Sequence, residues 1–280
     1  MDIFTQIITA LVLGVVQGVT EFLPISSTGH LIVTSNLLGV SKETADIFNV
    51  VVQLPSIFAV CWVFRQKIAE VTVGVLCRPR SLPSMRFVLM LILAVLPAIV
   101  LGLIFHKQIK DYLFNAYVVA GALIVGGIII IIVERYLRSH PQQMDIDDMT
   151  AGTAVKIGFA QAVAMIPGTS RSGATIIGGV IFGLSRKAAT EFSFFLAIPT
   201  MFGATILEIY KSWGDLKLEL FPFFAVGCVA SFISAMWAVR FLLRYISTHT
   251  FIPFAYYRIG FGLIVLATGF FNLIDWAAWK

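Results

Sequence analysis

The stretch from residue 17 to residue 30, QGVTEFLPISSTGH, brings reactive side chains together in a chain that is otherwise mostly hydrocarbon. It contains a carboxylate, Glu21, three consecutive hydroxyls that include Ser27, and an imidazole, His30. A serine hydroxyl is a weak nucleophile until a neighbouring base accepts its proton. Carboxylate and imidazole groups are common acids and bases in such proton transfers. The stretch therefore holds the residue types of a nucleophile, an acid and a base.

A second polar stretch, PGTSRSGAT at residues 167–175, offers a different chemistry. Its Ser-Arg-Ser-Gly sequence is predicted to open a helix, where backbone N–H groups and the helix dipole favour an anion. The guanidinium of Arg171 can bind phosphate through two parallel hydrogen bonds. Two such helix starts, one in each stretch, suit a diphosphate. The residues predicted to bind phosphate are Arg171, Ser26, Thr28, Ser170, Ser172, Thr175, Gly168 and Gly173.

The composition places this chemistry in a membrane. Of the 280 residues, 59% are hydrophobic and 12% are charged, and the mean hydropathy is +0.93. In a soluble domain about 25% of the residues are charged. The net charge of +5 is spread over short loops, so it indicates topology and not a surface for nucleic acid. The three cysteines, at positions 61, 77 and 228, have neither metal-binding nor disulfide spacing.

The apolar runs that flank the first polar stretch, IFTQIITALVLGVV and LIVTSNLL, are shorter than the roughly 20 residues that cross a bilayer. The sequence therefore predicts a re-entrant hairpin, in which a helix enters the membrane, breaks and turns back. Irregular backbone at that depth requires surrounding protein or a water-filled cavity. The predicted full spans are Ile47–Phe64, Phe87–Phe105, Ala116–Val133, Thr190–Tyr210, Phe221–Leu243 and Ile252–Leu273. Residues 65–86 and 106–115 are predicted to be loops.

The second half of the chain repeats the first. A shift of 144 residues superposes Gly14 on Gly158, Gln17 on Gln161, Ser26 on Ser170, Gly39 on Gly183 and Pro55 on Pro199. We predict one membrane domain, residues 1–280, with repeats 1–135 and 151–275 and a loop 136–150 between them. An odd number of spans in each repeat inverts the second. The predicted fold is an all-α polytopic membrane protein with an inverted-topology repeat, six transmembrane helices and two re-entrant helix pairs.

The basic residues predict the orientation of the chain. If residues 65–86 are cytoplasmic, the Arg135/Arg138 segment, the Arg186–Lys187 turn and the Arg240–Arg244 segment lie on the same side. Both termini and the segments 106–115 and 211–220 then face the opposite side. This arrangement places basic residues mainly in the cytoplasm, as in most membrane proteins.

Each reactive residue also has a simpler interpretation. Ser, Thr and Gly in membrane helices more often mediate helix packing than catalysis. Glu21 and Arg171 alone could form a structural ion pair. Charged groups are costly inside a membrane, however, and usually serve a function there. Their combination in two related breaks favours a functional site over a purely structural scaffold.

At these residues the sequence resembles a known family, the undecaprenyl pyrophosphate phosphatases of the bacitracin-resistance type. The resemblance rests on the two polar stretches and on the later segments EFSFFLAIP and FIPFAYYR, and thus covers essentially the whole chain. It implies a phosphatase of the bacterial inner membrane, with its active site facing the periplasm, that converts undecaprenyl diphosphate to the monophosphate lipid carrier of cell-wall synthesis. The positions that match the functional motifs of the family are Glu21, Ser27, His30, Ser170, Arg171, Ser172 and Thr175.

The resemblance also implies a divalent cation, Mg2+ or Ca2+, and no organic cofactor. Glu21 and Gln17 are the candidate ligands, although the amide of Gln17 binds hard cations more weakly than a carboxylate does. The expected partners are the polyprenyl diphosphate lipid and membrane lipids, and no nucleic acid. A second copy of the chain, in a homodimer, is a further candidate partner.

The sequence leaves two assignments of the reacting groups open. In the first, Ser27 is the nucleophile, His30 is the general acid and base, and Glu21 orients His30 or binds the cation. In the second, His30 attacks phosphorus and Ser27 binds the phosphate. The rival function is a polyprenyl-phosphate transporter or flippase, because many transporters are built from inverted repeats with broken helices.

Overall fold

The computed structural model describes residues 3–77, 82–211, 220–274 and 276, and most of these residues lie in helices. The helices are α1 (Ile3–Phe22), α2 (Ser27–Leu37), α3 (Lys42–Val63), α4 (Arg65–Leu76), α5 (Leu82–Leu113), α6 (Ala116–Ser139), α7 (Ala151–Val163), α8 (Arg171–Ile181), α9 (Arg186–Lys211), α10 (Phe221–Ile246) and α11 (Ile252–Phe270). Within these ranges the one β-type pairing is a bridge between Met144 and Leu184. The all-α prediction is confirmed.

Seven helices in the described ranges are long and apolar enough to cross a membrane, namely α1, α3, α5, α6, α9, α10 and α11. Six of them correspond to the predicted spans. The seventh is α1, which continues through Gln17 and Glu21 to Phe22 and so reaches 20 residues. The prediction that the first helix is too short to cross a bilayer was therefore wrong. Together with the composition, the seven helices show a multi-pass membrane protein.

Two segments predicted as loops are helical. Residues Arg65–Leu76 form α4, where Arg, Gln, Lys, Ala and Glu favour the helix and a few apolar side chains pack against the core. Helix α5 continues beyond Phe105 to Leu113, which leaves only two residues before α6. The remainder of the predicted loop at 78–81, most of the 211–220 segment and the chain ends lie outside the described residues.

Several equivalent helices of the two halves make equivalent contacts, although α3 packs along α10 while the corresponding α9 and α5 make few contacts. Helix α1 packs along α10, and α7 packs along α5, while α6 packs along α11 and α3 along α9. The contacts of α1 and α7 depend on Gly14 and Gly158, where a Cβ would overlap the carbonyl oxygens of Gly227 and Ala94 respectively. These two glycines are related by the 144-residue shift, so the halves share a helix contact that requires a small residue.

The two breaks, between α1 and α2 and between α7 and α8, end in the same backbone conformation. Residues 23–26 connect α1 to α2 and residues 164–170 connect α7 to α8. Each break ends in a serine with positive φ, 73° at Ser26 and 71° at Ser170, a conformation that costs about 1–3 kcal/mol in a non-glycine residue. Beyond each second helix lies a glycine with positive φ, Gly39 and Gly183. Both pairs are related by the same shift, so these two backbone features occur in both halves.

Candidate active site

The reactive side chains of the first break meet at the carboxylate of Glu21. Glu21 lies in the last turn of α1 and is only 8% exposed. Ser27, the first residue of α2, donates its hydroxyl hydrogen to Glu21 Oε2 over 2.7 Å. Gln17, one turn earlier on α1, donates from Nε2 to the same oxygen over 3.3 Å. The short break thus folds the start of α2 back against the end of α1, and the base in contact with Ser27 is Glu21.

The second break contributes Arg171, the first residue of α8. Its Nη2 lies 3.3 Å from Glu21 Oε1 and 3.2 Å from Met201 Sδ, and its Nη1 donates to the Ser193 carbonyl over 3.2 Å. The guanidinium also lies over the ring of Phe22, 5.7 Å from its centroid. The Nε of Arg171 is buried and has no hydrogen-bond partner. The structure therefore joins the two breaks at one site, and the arginine there keeps a donor for an anion.

His30 contacts neither Ser27 nor Glu21 through a hydrogen bond. Its Nδ1 lies 2.7 Å from the Ser26 carbonyl and its Nε2 lies 2.7 Å from the Tyr257 hydroxyl. Since a carbonyl can only accept, Nδ1 carries a proton, and in the neutral imidazole Nε2 then accepts from Tyr257. The ring of Phe261 stacks on the imidazole at 3.9 Å. The expectations that Glu21 orients His30, and that His30 shares a proton with Ser27, are not met in this arrangement.

Two serines of the second break hold the local backbone together. Ser170 Oγ accepts from the backbone N–H of Gly173 over 3.1 Å, which caps the N-terminus of α8. Ser170 also shares a hydrogen bond with Ser172, whose hydroxyl donates to the Leu23 carbonyl over 2.8 Å. The hydrogen bond from Ser172 to Leu23 links the start of α8 directly to the first break. A role for both serines in phosphate binding stays a prediction.

Thr175 supports Arg171 from one turn further along α8. Its hydroxyl donates to the Arg171 carbonyl over 2.9 Å and shares a hydrogen bond with the hydroxyl of Ser193. Ser193 in turn accepts from the Arg171 guanidinium through its carbonyl. Gly168, with φ at 92°, lies against the Val119 backbone, where a Cβ would not fit. Thr175 thus supports Arg171, whereas Gly168 allows the second break to lie close to α6. That Thr175 and Gly168 contact phosphate stays a prediction.

The N-termini of α2 and α8 differ in their caps. Ser170 caps α8, whereas the side chain of Ser26 makes no capping hydrogen bond to α2. The first N–H groups of a helix have no partner within the helix. Of these two helices, α2 is the one whose N-terminal N–H groups have no side-chain cap. Ser27 and Thr28 lie in its first turn, and the N–H groups there can bind an anion.

Comparison with known proteins identifies the family. Residues 10–264 match the family model described as bacitracin resistance protein BacA. The chain belongs to this family. It is 55% identical to the undecaprenyl-diphosphatase of Aromatoleum aromaticum over 270 residues, which covers 96% of this chain and 97% of that protein. It is 54% identical to the undecaprenyl-diphosphatase of Pseudomonas syringae pv. syringae over 281 residues and the full length of both chains.

The BacA resemblance implied a divalent cation, and the site contains two oxygen donors that fit one. Gln17 Oε1 is buried and has no hydrogen-bond partner, and the Glu21 carboxylate lies beside this side chain. No group of three or more His, Cys, Asp or Glu side chains in the described ranges could hold a metal ion. Mg2+ is often bound by one or two protein groups together with substrate phosphates. Gln17 and Glu21 fit a site of this kind, in which the substrate phosphates supply the remaining ligands.

Helix α11 contributes two residues to this candidate site that were not among the predicted site residues. Tyr257 contacts His30, and the adjacent Arg258 is 1% exposed and donates to carbonyls in both breaks. The segment FIPFAYYR served only as part of the family resemblance. An arginine within a predicted span was a signal in its own right, because charged residues inside membrane helices usually mark function.

Proposed function

We propose that the protein hydrolyses undecaprenyl diphosphate to undecaprenyl phosphate and inorganic phosphate, which recycles the lipid carrier of cell-wall synthesis. One observation supports this reaction above all: the Ser27 hydroxyl lies 2.7 Å from Glu21, whose other carboxylate oxygen pairs with Arg171. A nucleophile, a base and a cation for phosphate thus meet at one partly buried point. The relatives named undecaprenyl-diphosphatase support the choice of substrate.

The first step transfers the terminal phosphoryl group to Ser27. Arg171 binds this phosphate through its unpaired Nε and the Nη2 that now contacts Glu21, and first-turn N–H groups of α2 bind it from the other side. Ser27 Oγ attacks the terminal phosphorus while its proton passes to Glu21. The bond between phosphorus and the bridging oxygen breaks, and undecaprenyl phosphate leaves with the proton from Glu21.

The second step regenerates the enzyme. A water molecule attacks phosphorus in the phosphoserine, and Glu21 accepts one of its protons. The bond between phosphorus and Ser27 Oγ breaks, and the serine takes this proton back from Glu21. Inorganic phosphate then leaves. A divalent cation held by Glu21 and Gln17 would neutralise part of the phosphate charge during both steps.

His30 keeps the first break in its reactive shape. Its Nδ1–H holds the carbonyl of Ser26, the residue with positive φ immediately before Ser27. Tyr257 and Phe261 fix the imidazole from α11. For His30 to attack phosphorus itself, Nε2 would first have to lose its hydrogen bond to Tyr257. The geometry therefore supports Ser27 over His30 as the nucleophile.

We also propose that the two hairpins are re-entrant, that the repeats are inverted, and that the site faces the periplasm of the inner membrane. Three observations support this topology: the shared helix contacts, the two serines with positive φ, and the distribution of basic residues. Cysteine labelling from either side of the membrane tests it. We expect position 2 to be labelled from the periplasm and position 78 from the cytoplasm. Labelling of position 2 from the cytoplasm would contradict the inverted repeat.

The enzymatic proposal is tested by phosphate release from undecaprenyl or farnesyl diphosphate with the purified protein. We expect one phosphate per lipid, a lipid monophosphate product, loss of turnover with EDTA and recovery with Mg2+ or Ca2+. Unchanged turnover with EDTA would contradict the role of the cation but not the hydrolysis itself. If the lipid diphosphate binds without hydrolysis and crosses the bilayer of reconstituted vesicles, this result would instead support the rival function of a transporter.

A further inference from the structure

Arg258 of α11 is a buried cation that the proposed reaction does not use. Its side chain is 1% exposed, and within the described residues it forms no salt bridge with a carboxylate. All four of its hydrogen bonds go to backbone carbonyls, at distances of 3.1–3.3 Å. The acceptors are Pro24 of the first break, Gly168 of the second break, and Ala122 and Leu123 of α6. One guanidinium thus contacts both breaks at once.

The breaks explain why an arginine is needed at this place. Helix termini and irregular backbone leave carbonyls without helical partners, and such groups are costly in a membrane protein unless another donor serves them. A guanidinium offers five N–H donors in a fixed planar fork. Lysine has its three donors on a single nitrogen. Arg258 can therefore serve carbonyls that lie in different directions around one plane.

The surrounding helices leave space for this guanidinium. A Cβ on Gly126 of α6 would overlap Nη2 of Arg258, and a Cβ on Gly173 of α8 would lie 2.9 Å from Nη1. Gly126 faces Arg258 from the helix whose carbonyls at 122 and 123 accept its hydrogen bonds. The position of the guanidinium is therefore sensitive to a single methyl group on a different helix.

We propose that Arg258 is a positioning residue that sets the distance between the reacting groups of the two breaks. Pro24 lies three residues after Glu21 and three before Ser27, and Gly168 lies three residues before Arg171. By holding both carbonyls, Arg258 fixes the carboxylate and hydroxyl of the first break relative to the cation of the second. This inference rests on the proposed phosphatase function, and it assigns to α11 the alignment of that site.

The test displaces the guanidinium without changing Arg258. In Gly126→Ala the new methyl group overlaps Nη2, whereas Gly121→Ala adds the same methyl group to the same helix where nothing lies within 4 Å. Both changes favour the helix, so loss of function in only one of them reports the contact. We expect Gly126→Ala to lose about 10²-fold in kcat, the scale of a misplacement by about 1 Å, with KM nearly unchanged. Gly121→Ala is expected to match the parent protein.

Arg258→Lys provides a second variant, because its ammonium cannot bind both breaks. We expect a similar loss of kcat, and little further loss when Gly126→Ala is added, since both changes act on one contact. Each variant must elute from size exclusion as the parent does. Near-normal kcat in Arg258→Lys and in Gly126→Ala would overturn the inference, as would equal losses in the two glycine variants.

A chemical readout separates this inference from the proposed function. Ser27→Cys, in a chain without the native cysteines, is alkylated with a water-soluble thiol reagent. We expect Gly126→Ala to accelerate the alkylation several-fold and Gly121→Ala to leave it unchanged, because the first break loosens only when Arg258 is displaced. If the parent protein releases no phosphate, the proposed function fails, and this rate still decides the role of Arg258. An unchanged rate in Gly126→Ala would contradict that role.

Discussion

The two breaks end in a serine of the same backbone conformation and differ in chemistry. Ser26 and Ser170 occupy equivalent positions with nearly the same positive φ, yet only Ser170 caps the helix that follows it. Immediately after these serines, the first break presents a hydroxyl, Ser27, and the second a guanidinium, Arg171. The two halves thus expose a helix start in a similar way, and each presents a different functional group there. A diphosphate site needs both, because the group that attacks and the group that neutralises charge approach from different sides.

Two ion pairs, Arg186–Glu134 and Arg171–Glu21, differ in how many of their hydrogen-bonding groups have partners. Arg186 binds Glu134 through Nε and Nη2, and Glu134 also accepts from the backbone N–H of Phe251 at the start of α11. The Glu21–Arg171 pair has a single contact of 3.3 Å, and Arg171 Nε has no partner. The saturated pair ties three helices together. The unsaturated pair retains capacity for a ligand, which argues against a purely structural role.

The largest expected effect is the loss of the reacting groups in the first break. Ser27→Ala removes the nucleophile and Glu21→Gln removes its proton acceptor, and each should lower turnover by about 10²–10⁴-fold. Phosphate release from the purified variants measures it. The control is Met165→Leu, since Met165 is the residue of the second break equivalent to Glu21, and it should keep near-normal turnover. Substantial turnover in Ser27→Ala would contradict the division of roles between the breaks.

A smaller effect is expected from Arg171→Lys in the second break. Lysine keeps the charge and loses the planar fork, so one or more charge-assisted hydrogen bonds to phosphate disappear. Each is worth about 1.5–3 kcal/mol, which corresponds to a loss of roughly 10–10²-fold in kcat/KM. Steady-state kinetics on a folded variant measures the change. Near-parental kcat/KM would show that Arg171 acts only as a point charge.

The smallest effect concerns the cap that only one break possesses. Ser170→Ala removes the hydrogen bond to the Gly173 N–H, whereas Ser26→Ala removes no capping bond. Ser170→Ala also removes the hydrogen bond between Ser170 and Ser172, so the difference reports the cap together with this bond. The cap by itself is worth about 1 kcal/mol. Thermal unfolding in detergent should place Ser170→Ala about 2 °C below Ser26→Ala. Equal melting temperatures would show that the caps do not distinguish the breaks.

The sequence predicted the fold class and the meeting of the breaks because both depend on patterns along the chain. Long apolar runs located the spans, and the 144-residue shift related Ser26 to Ser170. The length of α1 was missed because polar Gln17 and Glu21 resembled a helix end, although α1 packs along α10 and buries both side chains.

The partners of His30 could not be predicted from spacing. Ser27 and His30 lie three residues apart, which suggested a shared proton, but the imidazole turns towards α11. Tyr257 lies 227 positions further along the chain, and only the packing of α11 brings it to His30. Arg258 was overlooked for the same reason, since its acceptors are carbonyls that carry no mark in the sequence.

The most direct test of the division of roles is to identify the residue that receives the phosphoryl group. The enzyme is mixed with undecaprenyl diphosphate labelled in its terminal phosphate, quenched within one turnover and digested for mass spectrometry. We predict an acid-stable phosphoserine at Ser27 that is absent from Ser27→Ala. Acid-labile label on His30, with Ser27 unmodified, would contradict the account and make the histidine the nucleophile.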